Sequence, residues 1–264
     1  METVIAAILG VVEGLTEFLP VSSTGHLIIT GNLLSFNDHS FGNMFDVVIQ
    51  FGAISAVVFY FWKKIFPFGK PAGERIKTFR LWGKIVIGFL PAAVIGIFLD
   101  DLIDKYLFNP VTVAAALIVG AILIFIAEAR NKKGESPETA EEITCRQAFL
   151  VGCFQCLAMW PGMSRSASTI IGGVFCGLSR SAAAEFSFIL GLPTIMGASF
   201  FKLLKTGFGF TPEQWGLIGT GTVISFLTAL LVIHFFMGYL KKYSLRPFAV
   251  YRILLGTAVL IFCL

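Results

Sequence analysis

The sequence has few charged residues for its length. Of its 264 residues only 14% are Asp, Glu, Lys or Arg, whereas soluble domains average about 25%. Hydrophobic residues make up 56% of the chain, and its mean hydropathy is +0.84. A chain with so little polar surface cannot coat a water-facing globule. The composition therefore excludes a soluble nucleic-acid-binding protein and a disordered protein, and it points to lipid as the solvent.

Cysteine is also scarce, and its pattern excludes two further classes. The five cysteines are odd in number, which argues against a disulfide-stapled secreted domain. Cys153 and Cys156 form a C-x-x-C pair, but no His or second Cys pair accompanies them to complete a zinc site. We expect the cysteines to be small buried residues that pack between helices.

Long apolar runs are what the sequence has in quantity. A helix needs about 20 mostly apolar residues to cross a bilayer core of about 30 Å. Six runs satisfy or approach this length, so we predict six transmembrane helices. They lie at 43–62, 106–127, 182–201, 215–240, 247–264 and 85–99, the last extendable back to Trp82.

Two further apolar segments, 3–34 and 148–178, do not resemble simple spans. The first contains two glutamates and Pro20, and the second contains Pro161 and Arg165 near its centre. Broken backbone at membrane depth is tolerated only where it is buried in protein or lines a cavity. We therefore predict a re-entrant helical hairpin for each segment.

The two halves of the chain resemble each other. A shift of 141 residues places Pro20 on Pro161 and Ser23 on Ser164 without a gap. Each half would then hold one hairpin and three spans, and an odd number of spans inverts the second copy relative to the first. The fold prediction is an all-α polytopic membrane protein with an inverted-topology repeat, formed by a single integral membrane domain. Its parts are repeat 1 (about 1–133), a cytoplasmic linker (about 131–142) and repeat 2 (about 143–264).

Loop charges predict the orientation of the protein. Lys and Arg outnumber acidic residues in 63–84, 130–133 and 241–246, so these segments should be cytoplasmic. The segment 100–105 is mostly acidic and 202–215 carries only two Lys, so both should face outward. Both termini then lie outside, and the first hairpin opens from the outer side.

Glu13 and Glu17 lie four residues apart, on one face of the first predicted helix. Two such carboxylates repel each other at membrane depth unless a cation or a proton lies between them. Carboxylate oxygens suit Mg²⁺ or Ca²⁺. The alternative is a protonated pair that is hydrogen-bonded to neighbouring helices.

Three hydroxyl residues, Ser22, Ser23 and Thr24, follow the break, and His26 comes shortly after. One hydroxyl can cap the next helix, but three exceed what a cap needs. A helix N-terminus also attracts anions. His26 is close enough in sequence to be a general base or a nucleophile, although a structural role is the alternative.

The second hairpin supplies Ser164 and Arg165. Arg165 has a planar guanidinium suited to a phosphate, or it forms a structural ion pair with a glutamate of the first hairpin. If the two tips meet, they form a divalent-cation and phosphate site at membrane depth. Elsewhere, His234 suggests a structural residue, and we expect Arg252 to snorkel towards water or to be paired.

The motifs E-G-L-T-E-F-L-P-V-S-S-T-G-H (13–26) and P-G-M-S-R-S (161–166) resemble the bacterial undecaprenyl-diphosphatase family, the bacitracin-resistance phosphatases. The resemblance extends over nearly the whole chain. It implies an inner-membrane enzyme, open to the outer side, that removes one phosphate from the C55 polyprenyl diphosphate left after cell-wall polymerisation. It implies no nucleic-acid partner and leaves a homodimer open.

The resemblance also implies roles for individual residues. A divalent cation, Mg²⁺ or Ca²⁺, would bridge the phosphates, and the attacking group is a serine, a histidine or water. The alternative class is a polyprenyl-phosphate transporter or flippase with the same architecture, in which the glutamates would relay protons or cations. The assigned residues are Glu17, Ser23, His26 and Arg165 for catalysis, Ser22, Thr24, Ser164 and Arg165 for phosphate binding, and Glu13 and Glu17 for the metal.

Overall fold

The computed structural model describes residues 1–36, 41–107, 109–130, 137, 139–206 and 209–262. Every regular element in these ranges is helical, so the all-α prediction is confirmed. The first half contains α1 (Glu2–Thr16), α2 (Ser23–Leu33), α3 (Phe41–Tyr60), α4 (Trp62–Ile65), α5 (Ala72–Leu107) and α6 (Pro110–Arg130). The second half contains α7 (Cys145–Gln155), α8 (Arg165–Phe175), α9 (Arg180–Thr206), α10 (Pro212–Leu240) and α11 (Arg246–Phe262).

In the described part of the chain, four helices are long and apolar enough to cross a membrane. The qualifying stretches are Ala72–Leu99, Pro110–Arg130, Arg180–Phe200 and Pro212–Leu240. The other two predicted spans correspond to α3, with 20 residues, and α11, with 17 described residues. Large apolar side chains such as Ile97, Phe98 and Phe235 are exposed on the helices, as a lipid-facing surface requires. The chain is a multi-pass membrane protein.

The helices extend beyond the apolar runs that predicted them. The acidic segment 100–105, predicted as an outer loop, belongs to α5, and most of the basic segment 63–84 is also helical. Hydropathy marks the part of a helix that lies in lipid, whereas helical hydrogen bonds continue into the polar region. Of the predicted linker, residues 131–136 and 138 lie outside the described residues, and Ala140–Glu142 form a 3₁₀ turn.

Both predicted hairpins contain a helix, a break and a second helix. The second helices, α2 and α8, have 11 residues each, a length of about 17 Å that cannot cross the bilayer. Each begins after a serine in the left-handed region, Ser22 at φ 75° and Ser164 at φ 71°. Ser22 accepts a hydrogen bond from the amide of Gly25, and Ser164 from that of Ala167. The two caps therefore align Ser22 with Ser164, whereas the shift of 141 residues in the sequence aligned Ser23 with Ser164.

Helices of the two halves pack against each other. α1 lies along α10, α6 along α11 and α5 along α7. At Gly14 a Cβ would lie 2.6 Å from the carbonyl oxygen of Ser225, so only glycine allows α1 and α10 to approach this closely. The halves therefore share one interior.

The cysteines do not fill this interior, so the prediction of buried packing residues is wrong. Cys145 and Cys153 are exposed, and Cys156 and Cys176 are half-buried. Helix contacts use glycine and alanine instead, because these residues let backbones approach closely in lipid. Cys263 lies outside the described residues.

Arg252 is the largest fully buried side chain of the described residues, and it neither snorkels nor pairs with a described carboxylate. Its guanidinium donates to the carbonyl oxygens of Leu117 at 3.1 Å, Ala116 at 3.1 Å, Gly162 at 3.1 Å and Pro20 at 3.3 Å. Pro20 and Gly162 belong to the two breaks. Arg252 therefore supplies donors to carbonyl groups that the broken helices expose, which explains why the sequence-based expectation fails.

Replacing Arg252 with Met should destabilise the protein, because each buried carbonyl left without a donor costs about 1–3 kcal/mol. Arg246→Met is the matched control, since Arg246 begins the same helix and is exposed. We expect the unfolding temperature in detergent to fall by roughly 5 °C or more in Arg252→Met and to change little in Arg246→Met. Equal unfolding temperatures for the two variants would contradict this role of Arg252.

Candidate active site

The carboxylate of Glu17 joins the two hairpins. Glu17 follows the last residue of α1 and is only 7% exposed. Its Oε2 accepts a hydrogen bond from the Ser23 hydroxyl at 2.7 Å. Its Oε1 accepts one from the Arg165 guanidinium at 2.9 Å. Three of the predicted site residues are thus directly connected.

Ser23 and Arg165 occupy the same position in two equivalent helices. Each is the first residue of a short helix, directly after its serine cap. The first backbone N–H groups of a helix have no partner within the helix, and together with the helix dipole they favour an anion. The first break thus places the Ser23 hydroxyl at the start of α2, and the second break places the Arg165 guanidinium at the start of α8.

The Arg165 guanidinium is fixed on two sides and has a free donor on the third. Besides Glu17, it donates to the carbonyl oxygen of Ser187 at 2.8 Å. Its buried Nε has no hydrogen-bond partner among the described residues. Gly191 makes room for the group, because a Cβ there would lie 2.7 Å from an Arg165 nitrogen. The interhairpin ion pair is present, and the buried Nε–H is left as a donor without a described partner.

Further contacts hold the tips of the hairpins together. The Ser166 hydroxyl is buried and donates to the carbonyl oxygen of Leu19 at 3.0 Å. Beside them, Phe18 of the first hairpin packs edge to face on Phe188 of α9, with ring centroids 4.9 Å apart. Sequence reasoning missed Ser166, although the S-R-S motif contains it.

His26 lies one turn after Ser23 in α2 but makes no hydrogen bond to it. Nδ1 of His26 lies 2.7 Å from the carbonyl oxygen of Ser22, and Nε2 lies 2.6 Å from the Tyr251 hydroxyl. The His26 and Tyr251 rings are nearly parallel. Both ring nitrogens are therefore engaged elsewhere, as in the structural alternative for His26. Tyr251 was missed because nothing in the sequence links α11 to the first hairpin.

The predicted phosphate-binding hydroxyls differ in their surroundings. Those of Ser22 and Ser164 cap α2 and α8, and the Ser164 hydroxyl also lies 3.0 Å from that of Ser166. Thr24 is half-buried in the first turn of α2. Ser22 is thus the helix cap that the sequence required from one of the three hydroxyls.

Glu13 is fully buried, and neither of its carboxylate oxygens has a hydrogen-bond partner in the described part of the chain. The charged groups that act on it are Glu17, Asp46 and Arg165. Glu13 has no hydrogen bond to a neighbouring helix among the described residues, and Glu17 is the group with which it would share a proton in the protonated-pair alternative. Its free oxygens fit one end of a cation site, although the described residues contain no group of three His, Cys, Asp or Glu placed to hold a metal.

Comparison with known proteins gives a consistent result. The undecaprenyl-diphosphatase 1 of Clostridioides difficile (strain 630) is 48% identical over 258 residues, which are 97% of this chain and 94% of that protein. The undecaprenyl-diphosphatase of Fusobacterium nucleatum is 48% identical over 260 residues, covering 96% and 98%. That of Enterococcus faecalis is 45% identical over 259 residues, covering 96% and 94%. The model of the family described as bacitracin resistance protein BacA matches residues 6–258, and the chain belongs to this family.

Proposed function

We infer that this protein is an undecaprenyl-diphosphatase of the bacterial inner membrane, which hydrolyses undecaprenyl diphosphate to undecaprenyl phosphate and phosphate. The full-length relatives support this reaction. The observation that carries it is the buried chain from the Ser23 hydroxyl through Glu17 to Arg165. Transport alone needs no hydroxyl held by a carboxylate, so this arrangement disfavours the transporter alternative.

In the proposed reaction Ser23 is the nucleophile. Its hydroxyl attacks the terminal phosphorus while Oε2 of Glu17 takes the proton, over the 2.7 Å hydrogen bond already present. The P–O bond to the bridging oxygen breaks, and undecaprenyl phosphate leaves. Glu17 releases that proton to the departing phosphate, then takes a proton from the water that attacks the phosphoserine and returns it to the Ser23 oxygen as inorganic phosphate leaves. His26 is less suited to attack, because both of its ring nitrogens are engaged.

Arg165 stabilises the phosphoryl group that is transferred. Its Nε–H is the free donor, and its charge balances the negative charge that the equatorial oxygens carry in the transition state. The first amides of α2 and α8 add donors at the same place. Arg165 also orients Glu17, so the same guanidinium forms the ion pair and binds the phosphate.

A phosphoserine is the first expected outcome. Rapid acid quench of the enzyme with undecaprenyl diphosphate labelled on the terminal phosphate should trap label on Ser23. Ser23→Ala should lower turnover roughly 10³-fold or more and abolish the trapped label. Ser22→Ala, which removes only a cap hydroxyl, is the control and should retain the label. Label on His26, or no label at any stage of turnover, would exclude a serine nucleophile.

Arg165→Lys tests the planar guanidinium. Lysine keeps the charge near Glu17 but loses the separate Nε–H, which has no described partner. We expect turnover of Arg165→Lys to fall by about 10²-fold or more. Its unfolding temperature should change much less than that of Arg165→Ala, because the alanine leaves Glu17 buried and unpaired. Turnover close to the parent in Arg165→Lys would leave Arg165 with a structural role only.

A divalent cation, Mg²⁺ or Ca²⁺, is proposed beside Glu13, with Glu17 as the second carboxylate. When bound, it would supply charge neutralisation for the diphosphate. Glu13 fits best as a ligand because both of its oxygens lack partners, whereas both oxygens of Glu17 already accept hydrogen bonds.

The structure therefore predicts a larger metal effect at Glu13 than at Glu17. Glu13→Gln should raise the metal concentration needed for half-maximal rate by about tenfold or more. Glu17→Gln should chiefly lower the maximal rate, by about 10²–10⁴-fold. The measurement is a metal titration of turnover after removal of metal with a chelator. Full activity of the parent enzyme in excess chelator would remove the metal from the proposal.

The active site is proposed to serve the outer leaflet. Support comes from the basic segments, which should be cytoplasmic, and from the position of the first hairpin relative to them. In a background without native cysteines, a cysteine at position 101 should react with a membrane-impermeant reagent in intact cells, and one at Lys70 should not. The opposite pattern would place the phosphatase on the cytoplasmic leaflet.

A further inference from the structure

A groove of about 910 Å³ lies away from the candidate active site, where α3 and α10 end and α9 begins. Its walls combine apolar and basic side chains in a way that the hydrolysis of the diphosphate does not use. We call it the lysine groove. The residues that define it are Phe59, Trp62, Lys63, Lys64, His234 and Lys241.

Two lysines of the groove carry unbalanced charge. Lys64 forms an ion pair with Glu185, the one acidic side chain among the described residues that line the groove. Lys63 and Lys241 are exposed and have no ion-pair partner in the part of the chain that the structure describes. Lys241 directly follows the last residue of α10, where backbone carbonyls favour a cation, and Lys63 lies in the short helix α4. The groove therefore has a net positive rim.

The aromatic side chains place this rim at the membrane surface. Phe59 and Trp62 are exposed, and the Trp62 ring stacks on Phe66 with centroids 3.8 Å apart. Tryptophan beside lysine is typical of the boundary between acyl chains and headgroups, where lysine keeps its ammonium in water and its stem on apolar surface. The exposed side chain of His234 faces this boundary too, although its sequence context suggested a structural role.

We propose that the lysine groove binds the headgroup of an anionic phospholipid in the leaflet opposite the active site. The phosphate lies between Lys63 and Lys241, and the first part of an acyl chain lies on Phe59 and Trp62. Charge complementarity supports this ligand, because a zwitterionic headgroup would place its own cation against the two lysines. The apolar wall argues for a lipid rather than a soluble anion. The volume suits a headgroup with the start of its chains.

The first test is native mass spectrometry of the whole protein with phosphatidylglycerol and phosphatidylcholine of identical acyl chains. We expect the parent to retain phosphatidylglycerol preferentially. The double variant Lys63→Gln/Lys241→Gln should lower this preference by about fivefold for each lysine removed. Lys242→Gln is the matched control, because Lys242 is exposed next to Lys241 but does not line the groove, and it should keep the parent preference.

Three results would overturn the proposal. The first is equal retention of both lipids by the parent. The second is a loss of preference in Lys242→Gln as large as in the double variant. The third is displacement of phosphatidylglycerol by inorganic phosphate at millimolar concentration, which would indicate a soluble-anion site. Turnover should be unchanged in the double variant, because neither lysine belongs to the candidate active site.

A second measurement does not depend on the folding of the lysine variants. Phosphatidylglycerol with brominated acyl chains should quench the fluorescence of Trp62, taken as the difference between the parent and Trp62→Phe. Brominated phosphatidylcholine at the same mole fraction should quench it less. Equal quenching by the two lipids would mean that Trp62 meets only bulk bilayer and that the groove selects no headgroup.

Discussion

The two broken helices meet at membrane depth, where lipid offers no hydrogen bonds to the backbone groups that each break exposes. The rest of the molecule depends on how these groups are satisfied. Arg252 donates to carbonyl oxygens of both breaks, and Ser22 and Ser164 cap the helices that follow. Helices of the two halves pack against each other around the two breaks, so each hairpin depends on contacts with the other half. The strained backbone at both caps persists because its surroundings fix it, as is usual at functional sites.

The same constraint produces the chemistry. A helix that starts inside the membrane presents free amides and a dipole to one point, and here two such starts carry Ser23 and Arg165 on either side of Glu17. A buried ion pair contributes little net stability, because the desolvation of its charges offsets their attraction. Its value lies in geometry, since it holds a carboxylate against a hydroxyl in a buried site, where electrostatic stabilisation of a phosphoryl group is strong.

The sequence predicts much of this arrangement. Hydropathy and the interrupting prolines predict the spans and both hairpins. Charges within apolar segments indicate Glu17 and Arg165, because burying them without a role is costly, and the run of hydroxyls after the first break indicates Ser23. Other features depend on contacts between distant segments. Arg252 and Tyr251 lie on α11 and reach the first hairpin across more than 200 residues of chain, so no local pattern reveals their partners. The ends of α5 were missed because hydropathy reports lipid contact and not helical hydrogen bonding.

The central claim is that the two hairpins present the terminal phosphate to Ser23. The most direct measurement is an experimental structure of the protein with a non-hydrolysable methylene analogue of the lipid diphosphate. The account predicts that the terminal phosphorus lies about 3–3.5 Å from the Ser23 hydroxyl oxygen, with Nε of Arg165 on one of its oxygens. A phosphorus atom beside His26, with Ser23 still turned away on Glu17 and Arg165 free of the phosphate, would contradict it.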